Sequence, residues 1–316
     1  MSAWGPGATV ECLRRRSERL GLIRDYFKQR AVFEVQTPIL AHDTVTEPDI
    51  ASIAVPGYGY LQTSPEYHMK RLLAAGMPDC YQLGPVFRQD ERGRLHRSEF
   101  TLLEWYRLGM DHLQLMEEVA DLVNQILGVA PFERVSYGSL VSDLSQPREH
   151  LDLAFAEAID ALPDGRFFIT DYPSDQAALA RLSSAQDVAA RFELVVNGVE
   201  IANGYWELRD AGEHRRRFNK DRERREWNHL DNEYNRRPSF FSTYTPEDAH
   251  KGLDLADTFA YFEKLDHLIM DADAHQVCFH ERSVKNAAAS IILYSPAVLQ
   301  VTVTDMIQDD TKTFFD

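Results

Sequence analysis

Residues 85–107 bring together side chains that could bind a phosphorylated ligand. In a strand every second side chain shares a face, so the segment 99–107 (EFTLLEWYR) predicts that Glu104 and Tyr106 lie together. A buried glutamate is costly unless a cation compensates its charge. Arg88 is the expected cation over that face, and its guanidinium group could also hold a phosphate through two parallel hydrogen bonds.

Two further glutamates, Glu200 and Glu207, stand seven positions apart in a segment of strand-like composition. A regular strand would place them on opposite faces. A bulge at Asn203-Gly204 would return them to one face, since glycine is favoured at bulges. Two carboxylates that share a pocket suit Mg²⁺, which takes oxygen ligands from carboxylates and phosphates. Taken alone, two strand glutamates are more typical of a solvated sheet edge.

The sequence Ser64-Pro65-Glu66 predicts the start of a helix. Serine caps helix N-termini, proline suits the first helical position, and a glutamate in the first turn interacts favourably with the helix dipole. This structural role requires no ligand.

The elements that would position these side chains alternate between strands and helices without a βαβ repeat. This order predicts an α+β fold, in which helices flank an antiparallel sheet. Asn197-Gly198 is a strong signal for a two-residue hairpin turn. Helices are predicted over 13–29, 111–126 and 151–161, and strands over 32–35, 166–170, 192–196 and 199–208.

Composition excludes several classes of protein. The formal charge of −16 at pH 7 argues against DNA binding, because sequence-independent affinity for nucleic acids depends on neutralising phosphates. Three cysteines without a Cys-x-x-Cys spacing favour a reducing, cytoplasmic location. The apolar run 287–303 is interrupted by polar residues and falls short of the roughly 20 apolar residues of a membrane span. We expect two short strands around Ser295-Pro296 and no membrane association.

Four segments resemble motifs of the class II lysyl-tRNA synthetases, in the family's order. Motif 1 is resembled by FEVQTPIL (33–40), the amino-acid loop by TSPEYHMKRLL (63–73), motif 2 by residues 85–107, and the metal-and-ATP strand by VEIANGYWEL (199–208). The resemblance is closest to the truncated paralogues of this family, the elongation factor P lysine ligases. It implies an antiparallel class II synthetase sheet and a homodimer formed through the first helix and strand.

The resemblance also implies roles for individual residues, with ATP and Mg²⁺ as cofactors. Arg88 is the expected catalytic residue. Glu66 and Glu207 are expected to meet the ammonium group of lysine or β-lysine, for which carboxylates are suitable partners. The implied ATP contacts are Arg88, Gln89, Asp90, Arg97, Glu200 and Ile201. The implied substrate contacts are Ser64, Glu66, Tyr106, Asn203 and Glu207, and the implied metal ligands are Glu200 and Glu207.

The C-terminal quarter departs from the family pattern. Motif 3 should carry two glycines and an arginine on the γ-phosphate, but the nearest segment here has Tyr261, Lys264 and His267 at those positions. Asp90 and Arg97 also stand where the family usually has Glu and Asn. We therefore expect a catalytic core over 1–237 and a divergent part of the same domain, with a degraded motif 3, over 238–316.

The expected function is ATP-dependent activation of lysine or β-lysine as an adenylate, followed by transfer to a lysine of elongation factor P. Because the motif 1 segment starts at residue 33, we expect no anticodon-binding barrel ahead of it. Three alternatives remain open. They are a short lysyl-tRNA synthetase, a synthetase-like pseudoenzyme, which the altered motif 3 favours, and a synthetase-like amide-forming enzyme related to asparagine synthetase, in which the two amine-facing glutamates would have no evident use.

Overall fold

A computed structural model describes residues 8–47, 49–89, 96–183, 187–227 and 286–293. Its helices are α1 (Val10–Gln29), α2 (Glu66–Ala74), α3 (His112–Leu127), α4 (Tyr137–Leu140), α5 (Arg148–Asp160) and α6 (Ala211–Trp227). Its strands are β1 (Phe33–Glu34), β2 (Leu40–Ala41), β3 (Ala54–Val55), β4 (Gly59–Leu61), β5 (Cys80–Phe87), β6 (Glu99–Leu108), β7 (Glu133–Ser136), β8 (Arg166–Pro173), β9 (Val188–Val196), β10 (Val199–Trp206) and β11 (Asn286–Leu293).

The centre of the fold is an eight-stranded sheet in the order β1-β5-β6-β11-β10-β9-β8-β7. Its neighbouring strands are antiparallel except at the two edges, where β1 pairs with β5 and β7 with β8 in parallel. Strands β2, β4 and β3 form a separate small sheet. The α+β architecture predicted from the sequence is confirmed.

Helices α1 and α3 cover one face of the large sheet. Phe27 of α1 and Leu115 of α3 join the same buried cluster as Leu103 and Trp105 of β6. Because side chains alternate along a strand, Glu104 and Tyr106 must then face the opposite side. Tyr106 does pack there, beside the buried Met69 of α2. The sheet therefore separates an apolar core on one face from a polar site beneath α2 on the other.

The helices begin and end near their predicted positions because local signals specify them. Asp111 caps α3 and forms a capping box with Gln114. Gly128 follows the last turn of α3 with a φ of 88°, a conformation that suits glycine. The strand predicted to stop at residue 170 instead continues to Pro173. Its pairing register shifts between Thr170 and Tyr172, so the residue predicted to end the strand forms a bulge within it.

Strand β11 lies between β6 and β10, in the middle of the large sheet. It confirms the first of the two strands predicted in the run 287–303, whereas the second lies outside the described residues. In the register, Ser290 stands opposite Glu104 on one side and Asn203 on the other. A segment from the C-terminal part thus joins the two motif-bearing strands.

Across the described segments, no helix combines the length and hydrophobicity needed to traverse a bilayer. Cys12 and Cys80 are both buried.

The turn between β9 and β10 provides a test of the backbone argument. Asn197 and Gly198 have φ angles of 48° and 77°, as a two-residue hairpin turn requires. A methyl group added at Gly198 would meet no atom within 4 Å, so a Gly198→Ala variant tests conformation alone. We expect it to lower the free energy of unfolding by about 1 kcal/mol, measured by urea denaturation.

Gly21→Ala is the matched control for this prediction. Gly21 lies within α1, and a methyl group there also meets nothing within 4 Å. Since alanine favours helices, we expect stabilisation by about 1 kcal/mol. Equal effects of the two substitutions would contradict the assignment of the turn.

Candidate active site

Three glutamates converge beneath α2 from distant parts of the chain. Glu66 lies in the first turn of α2, Glu104 on β6, and Glu207 one residue after β10. Glu104 and Glu207 are 5% and 6% exposed. Burial of three acidic groups in one place requires compensation, which the surrounding donors and one lysine provide.

The lysine is Lys70, on the same helix as Glu66. Its ammonium nitrogen lies 2.6 Å from Glu66 Oε1 and 2.8 Å from Glu207 Oε2, and its side chain is 6% exposed. The hydroxyl of Tyr205 donates a second hydrogen bond to Glu66 Oε1, at 2.9 Å. The two carboxylates predicted to bind a substrate ammonium group thus already share an ammonium group of the protein.

Glu104 has a different environment. Ser64 Oγ donates a hydrogen bond to Glu104 Oε2 at 2.7 Å, and Tyr106 OH donates to Oε1 at 2.9 Å. The prediction that Glu104 and Tyr106 share a face is therefore confirmed. Burial, followed by the nearby charge of Glu66, raises the pKa of Glu104 to about 8.

The prediction that Arg88 compensates Glu104 is wrong. Gln82 is the residue opposite Glu104 in the β5–β6 register, and the backbone of Arg88 pairs with Ser98. Arg88 lies six positions after Gln82, which is roughly 20 Å along an extended chain. A positive charge that does act on Glu104 is that of Lys70. Sequence spacing did not reveal this, because α2 reaches the sheet only through the tertiary fold.

Ser64 combines both roles considered for it. Helix α2 begins at Glu66, one or two residues later than a Ser64 cap predicts. The Ser64 hydroxyl nevertheless accepts a hydrogen bond from the Glu66 backbone N–H at 3.1 Å while it donates to Glu104. One side chain thus links the start of the helix to the buried carboxylate.

A second group of charges lies towards the other end of the same strands. Arg88 lies with its guanidinium carbon 5.1 Å from the ring centre of Phe100. Its charge acts on Glu200, which also receives a hydrogen bond from Asn203. Glu200 remains exposed to solvent on one side. Desolvation on its other sides, and then the charge of Glu193, raise its pKa to about 8.

The bulge predicted between Glu200 and Glu207 is present, but at a different residue. The β9–β10 register shifts between Glu200 and Ala202, so the extra residue is Ile201 and the Asn203-Gly204 pairing is regular. Ile201 packs against the apolar core. Any contact of Ile201 with ATP would therefore come from its backbone.

Glu200 and Glu207 do not share a cluster, although both were predicted as ligands of one metal ion. About six strand positions separate them, roughly 20 Å, whereas Mg²⁺ binds its ligands at about 2.1 Å. Glu193 is the better partner for Glu200, since it stands opposite Asn203 in the register and is the largest charge acting on Glu200. Glu193 also forms an ion pair with Arg191.

The remaining predicted residues are less closely tied to the site. Gln89 is fixed by a backbone hydrogen bond to Ala51 O at 2.8 Å. Arg97 is exposed at the start of the strand that carries Glu104. Asp90 and the altered motif 3 segment, 260–270, lie outside the described residues.

Sequence reasoning missed three residues, and two had a usable signal. Lys70 is four positions after Glu66 in a predicted helix, a spacing that favours an ion pair. The two-residue turn at Asn197-Gly198 sets the hairpin register, and counting back from it would have placed Glu193 near Glu200. Tyr205 carried no signal of its own, because its contact with Glu66 spans 139 residues.

The raised pKa of Glu104 predicts a specific pH dependence of stability. Between pH 4.5 and about 8 the unfolded state has released this proton while the folded state retains it, so the free energy of unfolding falls as pH rises. The Glu104→Gln variant cannot release this proton. We therefore expect its free energy of unfolding to fall less between pH 5.5 and 7.5 than that of the wild type, by roughly 1–2 kcal/mol. Urea denaturation at several pH values measures it.

Comparing the variant with the wild type separates the effect of Glu104 on the pH dependence of stability from that of the buried histidines. His214 has its pKa lowered to about 4 by burial, so its effect on stability has the opposite sign and is common to both proteins. Glu117→Gln, on the exposed side of α3, is the matched control. An unchanged slope for Glu104→Gln would show that Glu104 is ionised in the folded protein.

Comparison with known proteins agrees with the geometry. The model of the class II tRNA synthetases (D, K and N) matches residues 8–247. The elongation factor P--(R)-beta-lysine ligase of Vibrio vulnificus is 39% identical over 263 residues, covering 70% of this chain and 81% of that protein. Proteins of the same name from Edwardsiella ictaluri (39% over 266 residues, 71% and 82%) and Haemophilus ducreyi (38% over 262 residues, 71% and 80%) are similar. The chain therefore belongs to the class II tRNA synthetase family, as its motifs predicted, and is a relative of these ligases.

Proposed function

We propose that this protein activates lysine or β-lysine with ATP and transfers the aminoacyl group to a lysine side chain of elongation factor P. The observation that carries the proposal is the cluster of three buried glutamates, which suits an ammonium group, on the same sheet face as the Arg88–Glu200 group. The names of the related ligases support the same substrate and partner.

In the first step the substrate carboxylate attacks the α-phosphate of ATP, forming an aminoacyl adenylate and releasing pyrophosphate. Arg88 is the proposed catalytic residue, because a fixed guanidinium stabilises the negative charge that develops on the phosphate. Gln89, Asp90 and Arg97 follow it in motif 2 and are proposed to contact ATP, as is the backbone of Ile201.

Glu193 and Glu200 are the residues proposed to hold Mg²⁺. The fit rests on their chemistry: two neighbouring carboxylates repel each other, as the raised pKa of Glu200 indicates, and a cation would relieve this repulsion. Bound Mg²⁺ would neutralise phosphate charge during adenylate formation. Asn203 orients Glu200 through its hydrogen bond.

In the second step the ε-amine of a lysine on elongation factor P attacks the adenylate carbonyl. An amide bond forms, and AMP leaves with the electrons of the broken bond. Ser64, Glu66, Tyr106, Asn203 and Glu207 are the proposed substrate contacts, and the structure adds Glu104, whose two oxygens accept hydrogen bonds from Ser64 and Tyr106.

A homodimer is the proposed assembly, formed through the motif 1 elements. Val10 and Leu13 of α1 and Phe33 of β1 are 78%, 47% and 54% exposed, which is unusual for apolar residues on neighbouring elements. A reducing, cytoplasmic location is also proposed, and the lack of any Cys-x-x-Cys spacing among the three cysteines supports it.

A catalytically inactive binding protein is the second candidate. It is favoured by Tyr261, Lys264 and His267, which stand where motif 3 should provide two glycines and an arginine. A short lysyl-tRNA synthetase is the third, and aminoacylation that depends on tRNA would distinguish it.

Replacing Arg88 tests the catalytic assignment. We expect Arg88→Ala to reduce lysine-dependent ATP–pyrophosphate exchange by about 10²–10³-fold, because one preorganised charge stabiliser is lost. Arg71→Ala, on α2, is the control for loss of a positive charge. Full activity in the Arg88 variant would reject its role, and absence of exchange in the wild type would favour the inactive binding protein.

The dimer predicts a change in oligomeric state when the apolar surface is charged. We expect Phe33→Arg combined with Leu13→Arg to shift the protein from dimer to monomer in sedimentation equilibrium, since desolvated unpaired charges oppose association. Leu153→Arg is the matched control, because Leu153 is 60% exposed on α5, away from motif 1. A wild-type monomer at micromolar concentration would contradict the proposal.

A further inference from the structure

The loop 46–51 connects the two ends of the candidate active site. Thr46 Oγ1 lies 3.2 Å from the hydroxyl oxygen of Tyr67, which comes from α2. At the other end of the loop, the carbonyl oxygen of Ala51 accepts a hydrogen bond at 2.8 Å from the backbone N–H of Gln89. The loop thus runs from the helix above the three buried glutamates to the residue next to the proposed catalytic arginine.

Glu47 lies on this loop, and charges from both parts of the site act on it. One is Glu66, which belongs to the three buried glutamates, and another is Arg191. Arg191 stands opposite Tyr205 in the β9–β10 register, and the charge of Glu200 also acts on it. Since Tyr205 donates to Glu66 and Glu200 belongs to the Arg88–Glu200 group, Arg191 lies between the two groups. The carboxyl group of Glu47 therefore faces the middle of the site.

The middle of the site is also where the reacting carbon must lie. In the proposed function the ammonium group of the substrate meets the three buried glutamates, and its carboxyl group reacts with the α-phosphate of ATP near Arg88. The carbonyl carbon of the adenylate, which the acceptor amine attacks, then lies between these two groups. A carboxylate that faces this position can meet the attacking amine.

We propose that Glu47 is the general base of the transfer step and accepts a proton from the ε-ammonium group of the acceptor lysine. This inference rests on the proposed function, since it requires a lysine amine that attacks an adenylate. The proton transfer cannot be omitted, because an ammonium nitrogen has no lone pair with which to attack.

The acceptor ammonium group gives one proton to the Glu47 carboxylate, which leaves a lone pair on the nitrogen. This pair forms the C–N bond to the carbonyl carbon of the adenylate. The C–O bond to the phosphate then breaks, and AMP leaves with its electron pair. A second proton passes from the nitrogen to water, which leaves a neutral amide, and Glu47 returns its proton to the solvent.

The environment of Glu47 suits a base that acts at neutral pH. Its side chain is exposed to solvent on one side. Desolvation on its other sides, followed by the charge of Asp221, raises the pKa of its carboxyl group to about 7. A base with a pKa near the working pH combines a large ionised fraction with sufficient affinity for the proton.

Charged and titratable groups from four elements act on Glu47 or on its neighbour Asp221. They are Asp49 from the same loop, Glu66 and Tyr67 from α2, Arg191 from β9, and Arg217, Lys220 and Arg224 from α6. Asp221 is the largest of the charges that act on Glu47. Its removal should therefore shift the titration of Glu47 without changing Glu47 itself.

Single-turnover transfer from a supplied lysyl or β-lysyl adenylate to elongation factor P tests this role, because it bypasses adenylate formation. We expect Glu47→Gln to slow transfer at pH 7 by about 10²-fold or more, the scale of general base catalysis. Lysine-dependent ATP–pyrophosphate exchange should be unchanged. Glu117→Gln, on the exposed side of α3, is the matched control and should leave transfer at the wild-type rate.

A second nucleophile separates loss of the base from loss of adenylate binding. Hydroxylamine is uncharged at neutral pH, so it can attack without first losing a proton. Its reaction with the enzyme-bound adenylate should therefore be as fast in Glu47→Gln as in the wild type.

The pH profile of transfer is a readout that a purely structural role would not change. In the wild type the rate should rise with pH to a midpoint near 7 and then level off, because Glu47 must be ionised. In Glu47→Gln the rate should continue to rise up to pH 9, since only amine already deprotonated in solution can attack. Asp221→Asn should move the midpoint to lower pH, because it removes a charge that opposes ionisation of Glu47.

The outcomes distinguish this inference from the proposed function. A wild type without exchange that still transfers from the supplied adenylate, in a way that depends on Glu47, overturns the first step of the proposed function and supports the role of Glu47. A wild type that transfers nothing from the supplied adenylate overturns both. Transfer by Glu47→Gln with the wild-type rate and pH profile, or an equal loss of transfer, exchange and reaction with hydroxylamine, overturns the role of Glu47 alone.

Discussion

The burial of three glutamates around one lysine is the constraint on which the rest of this site depends. Glu66, Glu104 and Glu207 can share a desolvated space only because Lys70, two tyrosine hydroxyls and Ser64 distribute their charge. Buried charges without such partners would be too costly to keep. The position of α2 over the sheet follows from this requirement as much as from its apolar contacts.

The sheet explains how an apolar core and a charged site coexist within a few ångströms. On β6, Trp105 points into the core beneath α1 and α3, while Glu104 and Tyr106 on either side of it face α2. The strict alternation of a strand makes this separation possible without an intervening layer. The same sheet places the Arg88–Glu200 group at one end of a face and the three glutamates around Lys70 at the other end. The two groups lie roughly 20 Å apart along the strands.

Strand β11 gives the C-terminal part of the chain a structural role. It pairs with both β6 and β10 and so lies between the strand that carries Glu104 and the strand that carries Asn203. A central strand cannot be removed without exposing the backbone hydrogen-bonding groups of both neighbours. The segment 286–293 is thus tied to the two strands that carry Glu104 and Asn203.

The sequence by itself determined what depends on neighbouring residues. The Asn197-Gly198 turn, the Asp111 cap and the shared face of Glu104 and Tyr106 follow from backbone preferences and a period of two, and the structure confirms all three. Motif order was enough to predict the family and the α+β sheet. These features could be read because their causes lie within a few positions of the chain.

Only the tertiary structure decided which charges meet. It paired Lys70 with Glu207, gave Glu200 the neighbour Glu193 instead of Glu207, and kept Arg88 away from Glu104. A bulge moved from the predicted glycine to Ile201, and no local rule fixes that choice. Contacts between elements far apart in the chain depend on strand register and helix placement, which are set by packing of the whole sheet and not by local sequence.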